Sequence, residues 1–261
     1  MDAAVAPLLD GDPARLAVLV DFDGSLSPIV DDPADAVALP EAVDALRALV
    51  PLVGMVAVVS GRPVDFLMER LGVDGLRYVG QYGLEWIDDD GTIYHEPGAE
   101  PFLDAIAAVA DEAEARFPGL LVERKGRLAV GLHWRTSEDR GREVAGWAAA
   151  AAARLGLGVH ESRMARELRP PLAVDKGTAV RALLEKAGTV DRASFAGDDR
   201  GDLAAFEELV RLRAEGRLRD AVRIAVRSSE APPELLAASD IVVDGPAALA
   251  TLLSDLAASL S

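Results

Sequence analysis

The sequence predicts an α/β chain, a doubly wound parallel sheet interrupted by an inserted α+β segment. Three observations predict it. Apolar runs end abruptly in Asp, Ser or Gly, helical periodicities separate those runs, and a central stretch carries strands in adjacent pairs instead.

The first run, LAVLV at Leu16–Val20, is apolar at every position and ends in Asp21; the second, MVAVV at Met55–Val59, ends in Ser60 and Gly61. Uniformly apolar runs suit inner parallel strands, whose two faces are both covered. Between them, residues 40–50 place Val43, Leu46, Leu49 and Val50 at helical spacing behind Pro40, which suits a first helical turn. Residues 63–71 continue as a helix and 76–86 as a strand. The polar stretch DDDGTIYHEPGAEP then breaks the alternation and marks a domain boundary. Residues 102–117 read as a helix with Ile106, Val109 and Ala113 on one face, followed by the hairpin LLVERKGRLAVGLHWR turning near Lys125-Gly126. A helix over 142–155 and the strand pair in GLGVHESRMARELRP repeat the pattern, giving an α-β-β-α-β-β unit.

From Lys176 the first style returns: a helix to Ala187, the strand ASFAG ending in Asp198, a helix from Asp202, and the strands RIAVR and DIVVD. Alternation on both sides of the antiparallel segment predicts a core of residues 1–98 and 168–261, with residues 99–167 inserted as a cap.

Composition narrows the partners. Half of the 261 residues are hydrophobic, enough for a core, while 27 basic against 44 acidic side chains give a net charge of -17. Such a surface argues against nucleic acid or an anionic membrane as partner. With no cysteine, neither disulfides nor thiolate metal sites are available. The first residues lack the basic flank and apolar stretch of a secretory signal, and the apolar runs are far too short to span a bilayer. A cytoplasmic protein is the expectation, with no membrane partner, and a monomer is the default.

In open parallel sheets, ligands bind beyond the carboxyl ends of the strands. The polar residues that terminate the runs are Asp21, Asp23, Ser60 and Asp198. With Lys176 they supply what phosphoryl transfer needs: an anionic nucleophile, a proton donor, metal ligands and a cation. In VDFDGSLSPI, Asp21 suits attack on phosphorus once a magnesium ion neutralises the charges. Asp23, two residues on, reaches the same side of an extended chain and suits acid and base work. Gly24 allows a tight turn, and the Ser25 hydroxyl suits phosphate oxygens.

In VVSGRP, Ser60, Gly61 and Arg62 precede a helix start suited to phosphate. Taken alone, Ser60 is more commonly a helix cap in a βα turn, and Arg62 a surface charge. In VDKGTAV, Lys176 opens a helix and would neutralise the clustered carboxylates. In FAGDDRGDLAAF, Asp198 and Asp199 end a strand and Asp202 starts a helix. Asp198 would complete a magnesium shell with Asp21 and the backbone carbonyl of Asp23, while Asp199 and Asp202 would orient waters and Lys176. Helix-start acids complementing the macrodipole account for Asp202 but not for three carboxylates together.

The order Asp-x-Asp-Gly, Ser-Gly-Arg, Lys-Gly and Gly-Asp-Asp resembles the four signature motifs of the haloacid dehalogenase superfamily. That resemblance implies a phosphorylated Asp21, an acid/base Asp23, and phosphate and Mg2+ binding by Ser60, Lys176, Asp198 and Asp199. It also implies a cap between the second and third motifs.

The segments DFDGSLSPIV, SGRP, VGQYGLEW, ERKGRLAVGLHWR, ELRPPLAVDKG and GDDRGD are similar, in order, to the trehalose-6-phosphate phosphatase branch. This second resemblance implies a sugar phosphate substrate and hydrolysis through an aspartyl-phosphate. The cap positions matching the branch's sugar-binding groups are Glu123, Lys125, His133, Arg135 and Glu167. Read without the resemblance, these are an exposed hairpin face and a satisfied strand histidine.

The chain departs from the branch at Tyr82, where His is common, at Gly201 and Leu203, which replace Thr and Glu, and at Ser25, which replaces Thr. Those departures leave open another glycosyl or pseudo-disaccharide phosphate, such as glucosylglycerol or glucosylglycerate phosphate. A catalytically weakened partner of a synthase is the non-enzymatic alternative.

Overall fold

The apolar run Leu16–Val20 becomes a strand buried at every position, and the run Met55–Val59 one that is buried from Val56 onward. The computed structural model describes residues 3–87, 91–162, 164–228 and 231–261. The chain divides into two units, one of Met1–Gly83, Ile87–Thr92 and Val174–Ser261, the other of Leu84–Trp86 and Ile93–Ala173. The second is wider at both ends than the window 99–167. Residues 88–90, at the head of the acidic stretch read as a boundary, lie outside the described residues, as does Arg163 within the second strand pair.

The first unit opens with α1 (Ala6–Leu9), β1 (Leu16–Val20), α2 (Pro40–Leu49), β2 (Met55–Val59), α3 (Val64–Leu71) and β3 (Arg77–Gly80). Residues 76–86 do not form the single strand expected. The strand stops at Gly80 because Gln81 and Tyr82 adopt the left-handed backbone, with φ of 48° and 60°, which no strand can continue. The short strands β4 (Glu85–Ile87) and β5 (Ile93–His95) follow.

The second unit continues with α4 (Leu103–Arg116), β6 (Leu121–Lys125), β7 (Ala129–His133), α5 (Gly141–Leu155), β8 (Gly158–Ser162) and β9 (Ala165–Arg169). The chain then returns to the first through α6 (Lys176–Ala187), β10 (Arg192–Gly197), α7 (Asp202–Ala214), β11 (Asp220–Arg227), α8 (Pro233–Ala238), β12 (Ile241–Asp244) and α9 (Gly245–Leu260).

Six parallel strands of the first unit run in the order β12-β11-β10-β1-β2-β3. From β1 the chain first builds outward through β2 and β3, then resumes on the other side of β1 with β10. The strand order reverses at β1 and β10, which is where α/β sheets open a crevice. Val18 and Val20 join Leu46, Leu49, Leu253 and Leu256 in one apolar cluster. At the opposite end of β10, the buried Arg192 guanidinium donates to the carbonyls of Leu8 (2.7 Å) and Asp12, so its charge lies among acceptors.

The second unit is an antiparallel sheet in the order β6-β7-β9-β8. Alternation sorts its faces. Val130, Leu132 and Leu168 are buried in one cluster with Ile106, Val109 and Ala113 of α4 and Val144, Ala148 and Ala151 of α5. Glu123, Lys125, His133 and Glu167 occupy the other face.

Candidate active site

Register carries Asp21 and Asp198 to the same place. Val20 is paired with Ala196, and the Asp21 N–H donates to the Ala196 carbonyl at 2.8 Å, so both strands deliver an aspartate at one rim. Gly24 makes the approach possible. Its φ of 73° turns the chain after Asp23, and a Cβ there would overlap the Asp198 carboxylate. The turn is closed by Gly24 N–H to Ser27 carbonyl (2.8 Å) and by Ser27 N–H to Phe22 carbonyl (2.9 Å).

Lys176 is the cation of this rim. It begins α6 behind Asp175, whose carboxylate accepts from the Thr178 N–H (2.8 Å) while the Thr178 hydroxyl accepts from the Asp175 N–H (2.9 Å). A lysine at a helix N-terminus opposes the helix dipole, so its carboxylate partners have to hold it there. Its Nζ lies 2.9 Å from Asp21 Oδ1, 2.6 Å from Asp202 Oδ1 and 4.0 Å from Asp199 Oδ1. Asp202 also accepts through Oδ2 from the N–H groups of Asp198 (2.9 Å) and Asp199 (3.0 Å), so one buried carboxylate fixes both the lysine and the strand-end turn.

The charges do not balance. Asp21, Asp198 and Asp202 offer oxygens within 4.8 Å of one another, all buried, against a single ammonium. Burial pushes the Asp21 carboxyl up to about 6, with Lys176 opposing the rise. Burial, then the charges of Asp21, Asp202 and Asp199, pushes Asp198 up to about 10. Burial would lower the Lys176 ammonium, but Asp202, Asp21 and Asp199 outweigh it and hold it well above its ordinary value. A surplus of clustered oxygen donors with protons held to unusually high pH is the condition a divalent cation relieves.

The remaining predicted residues fall into two groups. Ser25 is fully buried and its Oγ has no hydrogen-bond partner, which suits a ligand oxygen. Ser60 is buried at the end of β2, with its Oγ accepting from the Arg62 N–H at 3.3 Å. Arg62 and Asp23, 39 residues apart, form a two-pronged pair, Nε to Oδ2 and the terminal nitrogen to Oδ1, both 2.7 Å. The guanidinium also lies over the Phe66 ring at 4.8 Å. That pair was not legible in the sequence, and neither was the approach of Tyr82, whose ring lies beside Gly61 and 6.0 Å from the Lys176 ammonium.

In the second unit, Lys125 Nζ lies 2.5 Å from Glu167 Oε2 and 3.9 Å from Glu123 Oε2, while His133 Nε2 lies 2.9 Å from Glu123 Oε2. Glu123, Gly131 and Glu167 stand in one row across three strands. The bare Gly131 keeps that row open, since a Cβ there would press on His133 Nε2 and Glu123 Oε2. Arg135 lies in the turn beyond β7. Among the described residues, no helix is long and apolar enough to cross a membrane.

A model of the trehalose-phosphatase family matches residues 19–238. A trehalose-phosphate phosphatase of Mycobacterium marinum is 36% identical over 255 residues, covering 95% of this chain and 63% of its own length. One from Mycobacterium leprae is 35% identical, covering 94% and 58%. The chain thus spans about six-tenths of these relatives' length.

Among solved structures, the C-terminal domain of Candida albicans trehalose-6-phosphate phosphatase superposes with a TM-score of 0.78 at 21% identity, covering 98% of each chain. A haloacid dehalogenase-like hydrolase from Bacteroides thetaiotaomicron gives 0.64 at 16% identity, covering 93% of this chain and 99% of its own. The fold is that of the haloacid dehalogenase-like hydrolases, and by its sequence the chain belongs to the trehalose-phosphatase family.

Proposed function

We propose that this chain is a magnesium-dependent phosphatase that hydrolyses trehalose 6-phosphate to trehalose and phosphate, with Asp21 as nucleophile. The observation that carries the reading is the buried cluster at the ends of β1 and β10. There Asp21, Asp198 and Asp202 share one lysine, whose Nζ lies 2.9 Å from Asp21 and 2.6 Å from Asp202, so three buried carboxylates meet a single ammonium. The curated relatives named trehalose-phosphate phosphatases support the choice of sugar.

The donors are all oxygen, which favours a hard divalent cation such as Mg2+ held by Asp21, Asp198 and the Asp23 carbonyl. When bound, the ion supplies charge neutralisation between Asp21 and the phosphate.

Lys176 engages Asp21 Oδ1, leaving Oδ2 to attack phosphorus. As the new bond from Asp21 forms, the bond from phosphorus to the sugar oxygen breaks, and the leaving oxygen takes its electron pair and a proton from Asp23. Asp23 must first part from Arg62 and take up a proton from solvent, which frees that guanidinium for the phosphate oxygens. Ser25 Oγ, the Ser60 hydroxyl and the Gly61 N–H complete the cradle. Asp23 then takes a proton from water, the water oxygen attacks the phosphorus of the aspartyl-phosphate, and inorganic phosphate leaves with Asp21 restored. Asp199 and Asp202 act through position, Asp202 by fixing Lys176 and the N–H groups of Asp198 and Asp199. Recognition of the sugar falls to the polar sheet face of the second unit, Glu123, Lys125, His133 and Glu167, with Arg135 beside it, since buried donors left unpaired reject the wrong sugar.

The fold alone does not decide between enzyme and non-enzyme. The C-terminal domain of a Candida albicans trehalose synthase regulatory protein shares it with a TM-score of 0.73 at 14% identity, covering 96% of this chain and 97% of its own. The intact carboxylate cluster favours catalysis here. Phosphate release across a panel of sugar phosphates tests the substrate. Trehalose 6-phosphate should be preferred by at least about tenfold in kcat/KM, which is about 1.4 kcal/mol in the barrier. A tenfold preference for another glycosyl phosphate would replace it.

A further inference from the structure

Two consecutive residues with side chains, Gln81 and Tyr82, hold the left-handed backbone next to the rim just described, with φ of 48° and 60°. Neither is glycine, and such conformations persist only where the surroundings impose them, most often beside a working site. Gln81 is fully buried with neither side-chain amide atom hydrogen-bonded, so the amide does not explain the corner by local bonding. The backbone does more. The Tyr82 N–H donates to the Ser60 carbonyl at 2.9 Å and the Gln81 N–H to the Arg62 carbonyl at 3.0 Å.

A trans peptide sets its C=O and N–H in opposite directions. Tying the Ser60 carbonyl to Tyr82 therefore aims the Gly61 N–H away from the corner. The Tyr82 ring completes the arrangement. A Cβ on Gly61 would lie 2.6 Å from the phenol carbon and oxygen, so the ring rests on the bare face of that glycine. The Lys176 ammonium lies 6.0 Å from the ring centroid, within cation–π reach.

We infer that Tyr82 is a positioning residue for phosphate binding, its ring holding the Ser60–Gly61–Arg62 backbone and the Lys176 ammonium in the geometry that receives a phosphoryl group. The inference rests on the phosphatase reading for its purpose but concerns binding, so the two are separable. The corner is built from the backbone conformation, and the ring provides the support.

Binding of inorganic phosphate, measured by calorimetry in saturating Mg2+, tests this on four proteins: wild type, Tyr82→Phe, Tyr82→Gly and Tyr82→Asn. Glycine and asparagine both accept the left-handed backbone without the ring, so either one suffices if the other fails to fold, and melting temperature without phosphate checks each. The expected result is a Kd weakened at least tenfold in the Gly and Asn variants, with Phe within threefold of wild type. Phosphate binding within threefold in the ringless variants would overturn the inference, as would an equal loss in Phe. Should wild type bind phosphate yet release none from sugar phosphates, the hydrolase reading fails and the binding series still decides the role of Tyr82. A wild type that binds no phosphate rejects both.

Discussion

Asp202 shows how fully one side chain is committed in this rim, with Oδ1 on Lys176 and Oδ2 on two backbone N–H groups. An Asp202→Asn change has no neutral orientation, because the amide nitrogen must face either the ammonium or the two donors. It should lower kcat/KM about 10–100-fold by loosening Lys176 and the Asp198 turn, as losses of orienting partners do. Phosphate release measures it, and a change under threefold would deny Asp202 its orienting role. The residues that terminate apolar runs, Asp21, Ser60 and Asp198, were legible because a strand end in a parallel sheet has a known place. The pairing of Asp23 with Arg62 was not, since it depends on how two turns 39 residues apart come together. No local pattern carries that information.

Elements were legible where period and length agreed. β1 is apolar without interruption, β10 is buried at every position although it carries Arg192 and Ser194, and α6 runs over Lys176–Ala187, the span read from the sequence. The strand expected over 76–86 was broken at Gln81 and Tyr82 because left-handed backbone without glycine leaves no trace in composition. α9, unanticipated, packs on α2 through Leu249, Leu253 and Leu256.

Helix pairing should also respond to mutation. Buried Glu208 of α7 lies 2.5 Å from Arg181 of α6 and 2.7 Å from Arg211, and α6 and α7 start with Lys176 and Asp202. Glu208→Ala should destabilise the fold by about 1–3 kcal/mol, since it removes the shared partner of two charges, both of them partly exposed. Denaturant unfolding reads this, and a loss under about 0.5 kcal/mol, the range of a neutral surface change, would show the pair to be idle. In the second unit, Gly131→Ala should crowd His133 and Glu123. KM for trehalose 6-phosphate should rise about tenfold, near 1.4 kcal/mol, while turnover of a small aryl phosphate stays within twofold; equal losses on both substrates would remove sugar binding from that face.

For the molecule as a whole, the acidic rim links stability to pH and metal. Asp21 and Asp198 are raised from 3.8 to about 6 and about 10, so the metal-free fold holds protons that the unfolded chain has released. Their contribution is complete below about pH 3.8 and is lost as pH rises through 6 toward 10. A divalent cation held by these oxygens, as proposed, would compete with those protons and relieve the charge. The rise in melting temperature on adding Mg2+ should therefore be larger at pH 8 than at pH 5, as scanning calorimetry would show; an equal rise at both would mean that the ion binds elsewhere.

The net charge of -17 gives no long-range attraction for an anionic substrate, so on the proposed reading capture would depend on the bound cation and Lys176. The most direct measurement compares phosphate release from trehalose 6-phosphate in Mg2+ by the wild-type chain and by Asp21→Asn, which keeps the shape and removes the nucleophile. Release should fall at least about 1000-fold, near 4 kcal/mol in the barrier, with the variant still folded. Release by Asp21→Asn within tenfold of wild type would contradict nucleophilic attack by Asp21.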